Sequence, residues 1–300
     1  MSIRIALIGP GAIGGTLAAH LLSRPEIDLT IIARTPFDQL RVEQPDGSAL
    51  VGTPPFLTTL DAASAATAAG PFDWIFVAVK AYDAAATAPW LAALLGPSTR
   101  VAIIQNGVEH RERFAPWVPA SQLLPVMVDL PAERTAPGRI RQRGPGLVRV
   151  PADDLGHAFV ALFAGTPIDA ATSDDFTTVL WRKLTINSHG AINALLLRPN
   201  RALQTPAIAE LARAIMLETI AVARAEGARL DDALADTILD SALRAAPDGV
   251  NSLHADRAAG RRMEASARNG AVVRAGLRHG IPTPFNLMAT TLLEALQPTD

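Results

Sequence analysis

The chain has no cysteine. That excludes a disulfide framework, a thiolate metal site and a cysteine nucleophile. It has little net charge: 27 Lys+Arg stand against 29 Asp+Glu, a formal −2. Such a balance argues against a strongly basic grip on nucleic acid. The histidines (His20, His110, His157, His189, His254, His279) form no HxH or HxxxH pair, so no metal site is expected. No apolar stretch approaches the roughly 20 residues that span a bilayer. The opening run Ile3–Ile8 is too short for the apolar core of an export signal and leads into glycines. A soluble cytoplasmic protein with no membrane partner is the expectation. Its 300 residues, 49% hydrophobic against 19% charged, can bury a substantial core in one or two domains.

Two halves differ in pattern. Up to about residue 150, short apolar runs alternate with Ala/Leu-rich stretches. The runs Ile3–Ile8, Leu29–Ala33, Trp74–Val79, Arg100–Ile104 and Leu123–Val128 are nearly continuous, as parallel strands covered on both faces should be. They predict an α/β, Rossmann-like doubly wound sheet. Two short runs flanking Gly144-Pro145-Gly146 read as a hairpin. Asp61–Ala69 reads as a helix. From about Ser173 the pattern is all-α: 174–197, 206–226, 231–245, 252–259, 263–279 and 283–296. The boundary is expected near residue 170, with a nucleotide-binding domain over 1–170 and a helical domain over 171–300.

The first run ends in Gly9-Pro10-Gly11-Ala12-Ile13-Gly14, a GxGxxG with a strand before it and a helix after it. Gly9 permits the tight turn, Gly11 lets backbone approach a pyrophosphate, and Gly14 lets helix and strand pack closely. The helix N-terminus offers N–H groups to the phosphates. The bland alternative is a glycine-rich turn without a ligand. The second strand ends in Arg34. An acidic residue there would take the ribose 2′-OH, whereas a cation suits a 2′-phosphate, so the expected cofactor is NADP (NADPH). Against this, Arg34 could be an ordinary surface arginine.

Two further strand ends carry Lys80, and Gln105 with Asn106, on the edge where ligands bind in such sheets. Asn106-Gly107 could also be simply a turn. In the helical half, Lys183 and Asn187 stand four apart and share a face, although a lysine in this setting is more often just solvated. Ser252 and Glu264 would lie roughly 18 Å apart on one straight helix. Gly260 can end that helix and let the chain turn back.

These residues resemble the ketopantoate reductase (2-dehydropantoate 2-reductase) family along nearly the whole chain. The likeness rests on the glycine turn, Arg34, Val79-Lys80-Ala81, Gln105-Asn106-Gly107 and Trp181-Arg182-Lys183-Leu184 with Asn187. It continues through Pro199-Asn200, Ser252 with Asp256 and Glu264 in register, Asn269-Gly270 and His279–Asn286. The resemblance implies an NADPH-dependent oxidoreductase of pantothenate biosynthesis, with its active site in the cleft between a Rossmann domain and a helical domain. It implies Lys183 as proton donor, Asn106 as a contact to cofactor and substrate, and Lys80 and Glu264 as cofactor contacts. Glu264 would also lie close to the reacting centre. Asn187, Asn200 and Ser252 match substrate positions.

The residue types suit a small 2-keto acid. Hydride addition leaves charge on the carbonyl oxygen, which an ammonium at Lys183 can stabilise and protonate. There are departures from the family pattern. Its second substrate asparagine falls at Ala191, with Asn193 the nearest candidate. Met263 replaces a threonine and Ser266 an acidic residue. A different keto acid is therefore an alternative to 2-dehydropantoate. An opine- or hydroxyacid-type dehydrogenase using His189 or His254 is another, and a non-catalytic NADP-sensing module a third. The sequence does not set the oligomeric state, and the helical domain could pair with a second copy as a homodimer.

Overall fold

The apolar runs become the centre of a twisted sheet. A computed structural model describes residues 2–298. Along the first part run β1 (Ile3–Ile8), α1 (Ala12–Leu22), β2 (Ile27–Ile32), β3 (Leu40–Glu43), β4 (Ala49–Gly52), β5 (Phe56–Leu57), α2 (Leu60–Ala68), β6 (Trp74–Val77), α3 (Ala88–Leu94) and β7 (Arg100–Ile104). Next come α4 (His110–Phe114), β8 (Leu123–Asp129), β9 (Ala132–Ala136), β10 (Arg139–Gln142), β11 (Leu147–Pro151), α5 (Asp154–Ala161) and β12 (Asp169–Ser173). The helical part holds α6 (Phe176–Ser188), α7 (Gly190–Leu196), α8 (Pro206–Ala225), α9 (Ala233–Arg244), α10 (Ser252–Ala258), α11 (Asn269–His279) and α12 (Pro284–Ala295).

These residues form two compact units. One takes the chain as far as Gln105 together with His110–Phe176; the other takes Asn106–Glu109 together with the chain from Thr177. In the first, the large sheet has the order β12-β11-β8-β7-β6-β1-β2-β5. Strands β5 through β8 pair in parallel, and β11 joins β8 antiparallel. Because β12 pairs with β11, the sheet runs on past residue 170. Side chains alternate between two cores, as the strand period of two requires. Ile5, Leu7, Trp74 and Phe76 face one, while Ala6, Ile8, Ile75 and Val77 face the other. Both faces are dry, which is why these strands read as unbroken apolar runs.

The expected hairpin around Gly144-Pro145-Gly146 does not form. Its first run, β10, pairs with β3 and β9 in a separate four-stranded sheet, β4-β3-β10-β9, and its second run, β11, joins the large sheet. The turn chemistry was right locally, but the partners of each strand are set by burial. Ile140 of β10 is buried with Leu40, Val42 and Leu17, over α1. Gly15 makes that packing possible, since a Cβ there would collide with Ile140 Cδ1.

In the helical unit, α8 starts on Pro206 at its first turn, where the missing N–H costs nothing. It buries Ala212, Ile215, Met216, Thr219, Ile220 and Ala223 at helical spacing. Met216 and Ile220 pack with Trp181, Leu184 and Val272. A neighbouring cluster joins Ala191, Leu253, Met263, Ala289 and Leu293. Among the described residues, no helix is long and apolar enough to cross a membrane.

Candidate active site

The glycine turn is built from backbone. Gly9 has φ +97, and a Cβ there would lie 2.8 Å from Val79 Cγ1, so only glycine is unstrained. A Cβ on Gly14 would strike Gly9 O and lie 2.8 Å from Ala78 Cβ. Gly11 differs, because a Cβ there meets nothing within 4 Å. Its lack of a side chain serves no internal packing and leaves the approach open. Gly11 is the N-cap of α1; no side chain caps the helix, and its first turn holds no acidic residue. Open approach, uncapped N–H groups and a positive helix end fit a dinucleotide pyrophosphate. Pro10, Ala12 and Ile13 complete the turn.

Arg34 follows β2, which pairs with β1 in register from Ile3↔Ile27 to Ile8↔Ile32. Arg34 is exposed at the same sheet edge as the glycine turn. Lys80 follows β6 and is half-buried. Gln105 is a brace. Its Nε2 donates to Val79 O (2.9 Å), its Oε1 accepts from Arg113 (3.2 Å), and its carbonyl meets His110 Nε2 (2.9 Å).

Asn106 to Glu109 leave β7 and join the helical unit. Gly107 has φ +100, and a Cβ there would come 2.6 Å from Ala267 O. Val108 packs with the Trp181–Met216 core. Glu109 takes a two-pronged ion pair from Arg274, at 2.8 and 2.6 Å, and Arg274 also holds the Ser266 carbonyl at 2.8 Å. So seated, Asn106 Nδ2 donates to Glu264 Oε2 at 3.3 Å.

Lys183 and Asn187 lie half-buried on α6, whose Trp181, Leu184 and Ser188 are buried. The end of α6 is pinned from two directions. Ser188 O accepts from Asn269 Nδ2 (3.0 Å), and Gly190 O accepts from Asn251 Nδ2 (3.1 Å). Asn251 also caps α10 through His254 N. The expected helix over 263–279 begins only at Asn269. Gly260, at φ +64, closes α10, and Gln297 takes both Met263 N (2.8 Å) and Met263 O (3.0 Å). The backbone groups a helix would use are thus engaged elsewhere. Met263 turns into the core, and Glu264, 4% exposed, turns to Asn106. The chain returns so closely that Arg268 Nη2 donates to Ser252 Oγ at 2.6 Å.

Asn193 is 1% exposed. Its Nδ2 donates to Arg198 O (3.1 Å), just beyond Leu197 at φ +48, and its Oδ1 accepts from Asn251 (3.3 Å). Ala191 is wholly buried. Asn200 Nδ2 rests on Ala246 O at 3.4 Å. Burial, helped by the Arg268 charge, pushes His189 down to about 4, so at neutral pH it is a neutral imidazole with no proton to spare as an acid. Arg268, Asn251 and the Arg274–Glu109 pair carry no motif and were not legible in the sequence.

A doubly wound sheet with a nucleotide turn, followed by a helical unit that brings Asn106 onto Glu264 and carries Lys183 half-buried on α6, is the build of a nucleotide-dependent oxidoreductase. Two family models match it: Ketopantoate reductase PanE/ApbA over residues 5–154, and Ketopantoate reductase PanE/ApbA C terminal over residues 175–297. The chain belongs to the ketopantoate reductase family. It is 50% identical over 291 residues to a 2-dehydropantoate 2-reductase of Caulobacter vibrioides, covering 97% of this chain and 98% of that one. It is 37% identical to a 2-dehydropantoate 2-reductase of Mycobacterium tuberculosis, with 98% of each chain covered. Among solved structures, 2-dehydropantoate 2-reductase from Geobacter metallireducens superposes with a TM-score of 0.87 at 26% identity, over 97% of this chain and 99% of that one.

Proposed function

We propose that this protein reduces 2-dehydropantoate to (R)-pantoate with NADPH, and that Lys183 supplies the proton. The observation that carries the reading is the Asn106–Glu264 hydrogen bond, made in a chain of this family between residues 158 positions apart. The cofactor, when bound, supplies a hydride to the 2-keto carbon. Gly9 to Gly14 hold its pyrophosphate, Arg34 its 2′-phosphate, and Lys80, Asn106 and Glu264 its remaining polar groups. The Lys183 ammonium stabilises the charge that grows on the carbonyl oxygen and then donates its proton there. Glu264 takes one N–H of Asn106, which orients the amide and leaves its Oδ1 and second N–H for ligands.

Asn187, Asn200 and Ser252 bind the rest of the substrate. The engaged amide of Asn193 supports a bracing part for it rather than substrate contact, and the buried Ala191 offers no polar group in its place. The apolar stripe Phe285, Met288, Leu292 and Leu296, exposed along and just beyond α12, supports pairing of two copies, which light scattering of the purified protein tests. The function itself is tested by NADPH oxidation with 2-dehydropantoate, comparing the natural protein with Lys183→Ala. Turnover that the lysine variant loses, while it still binds NADPH, is expected. Equal turnover by the variant rules Lys183 out.

A further inference from the structure

Arg268 is the most unusual charged residue in the helical unit. It is 3% exposed, and its Nε is buried with no hydrogen-bond partner among the described residues. Enclosing a cation in this way costs several kcal/mol unless something opposite meets it. Burial works against the guanidinium charge, while Glu264 and Asp256 hold it on. Yet both of those carboxylates have other donors. Glu264 Oε2 takes Asn106 Nδ2 at 3.3 Å, and Asp256 Oδ1 takes Arg261 Nε at 3.0 Å. An apolar side chain would fill the same volume without this cost.

The guanidinium does reach one accessible group. Its Nη2 donates to Ser252 Oγ at 2.6 Å, and Ser252 is exposed. In a planar guanidinium, Nε–H and one Nη–H lie parallel along a single edge, the edge that matches the two oxygens of a carboxylate. Here that edge carries an unused Nε–H, and its Nη2 is capped only by a hydroxyl that can also donate. We propose that Arg268, with Ser252, seats the carboxylate of the 2-keto acid, and so makes the enzyme select acids over their uncharged counterparts. An entering carboxylate takes the Nε–H and shares Nη2 with Ser252, whose own proton turns to the second oxygen. A 2-keto acid carries its carboxylate on the keto carbon, so one anchored end orients the carbonyl. This inference rests on the reading of Ser252 and Lys183 given above.

The test is steady-state NADPH oxidation with 2-dehydropantoate and with its primary amide, for the natural protein, Arg268→Met and Arg268→Lys. NADPH binding by fluorescence serves as the check on folding. The natural protein should prefer the acid by about 100-fold or more in kcat/KM, as expected when a buried charge pair is lost. Arg268→Met should raise KM for the acid by a similar factor and erase the preference, with NADPH affinity unchanged. Arg268→Lys should recover part of it, since it keeps the charge but not the fork. If Arg268→Met fails to bind NADPH, the lysine variant and the acid/amide ratio of the natural protein carry the test. Equal use of acid and amide by the natural protein, or a folded variant that keeps the preference, overturns the inference and leaves the proposed reaction standing. NADPH-binding natural protein that turns over no 2-keto acid removes the reaction, and this inference with it.

Discussion

The glycine turn and the Asn106–Glu264 cluster are built by opposite means. The turn is one stretch of six residues whose useful groups are backbone N–H, and its glycines differ by task. Gly9 and Gly14 are required by contacts inside the protein, whereas a Cβ on Gly11 would meet nothing within 4 Å. The cluster draws side chains from the loop after β7, the start of α10 and the turn before α11, and Asn251, Asn269, Arg274 and Gln297 tie these segments and the end of α6 together. A backbone site is robust to side-chain change and intolerant of any Cβ in the wrong place. A side-chain site tolerates local change but depends on braces far off in sequence.

Substitutions should separate the two. The largest effect is expected from Lys183→Ala, which should lower kcat by about 10³-fold or more and leave NADPH affinity within about twofold. Gly14→Ala should do the reverse, abolishing NADPH binding and costing about 3 kcal/mol in urea unfolding, the upper end for overpacking against backbone. Gly11→Ala sharpens the contrast, because stability should hold while NADPH binding weakens. If Gly11→Ala unfolds the protein, the turn is not an open ligand seat.

An effect of similar size is expected from pH. An unfolded histidine takes its proton near 6.5, and folded His189 only near 4. Between those values the unfolded chain binds more protons, so stability falls as the pH falls. The loss is on the order of 3 kcal/mol below pH 4, and above 6.5 this residue contributes no pH dependence. His189→Asn should flatten that part of the acid limb in denaturant titrations, and an unchanged limb would refute a buried neutral imidazole.

Smaller still, Arg34→Ala should cut the preference for NADPH over NADH by about tenfold, the worth of one charge-assisted hydrogen bond. The smallest effect should come from the clamp on the Asn106 loop. Arg274 and Glu109 are partly solvated, with side chains 44% and 16% exposed, so a double-mutant cycle should give a coupling of about 0.5–1 kcal/mol. It should be visible in both KM and NADPH binding, since the loop carries Asn106. No coupling in KM would mean that the loop seats itself without the pair.

Much of the fold was legible because the central strands are buried on both faces and so spell out their own positions. The four-stranded sheet was not. Its strands are of four or five residues, β9 is largely exposed, and nothing near Gly144 in the sequence says that β10 and β11 part company. At the candidate site, Lys183 and Asn187 could be placed on one face from spacing alone. The return of Glu264 toward Ser252 could only be allowed for through Gly260. Arg268 was silent, because an arginine one residue before Asn269-Gly270 looks like any surface cation until its burial is known.

By itself the sequence determined the nucleotide turn, the doubly wound class of the central sheet and the switch to helices, because these follow from backbone sterics and from the period of apolar residues. Only the tertiary structure decided which polar side chains meet. That depends on where Met263 turns into the core, on Gln297 holding its backbone, and on Arg268 losing its water, and each of these is a balance among groups far apart in the chain.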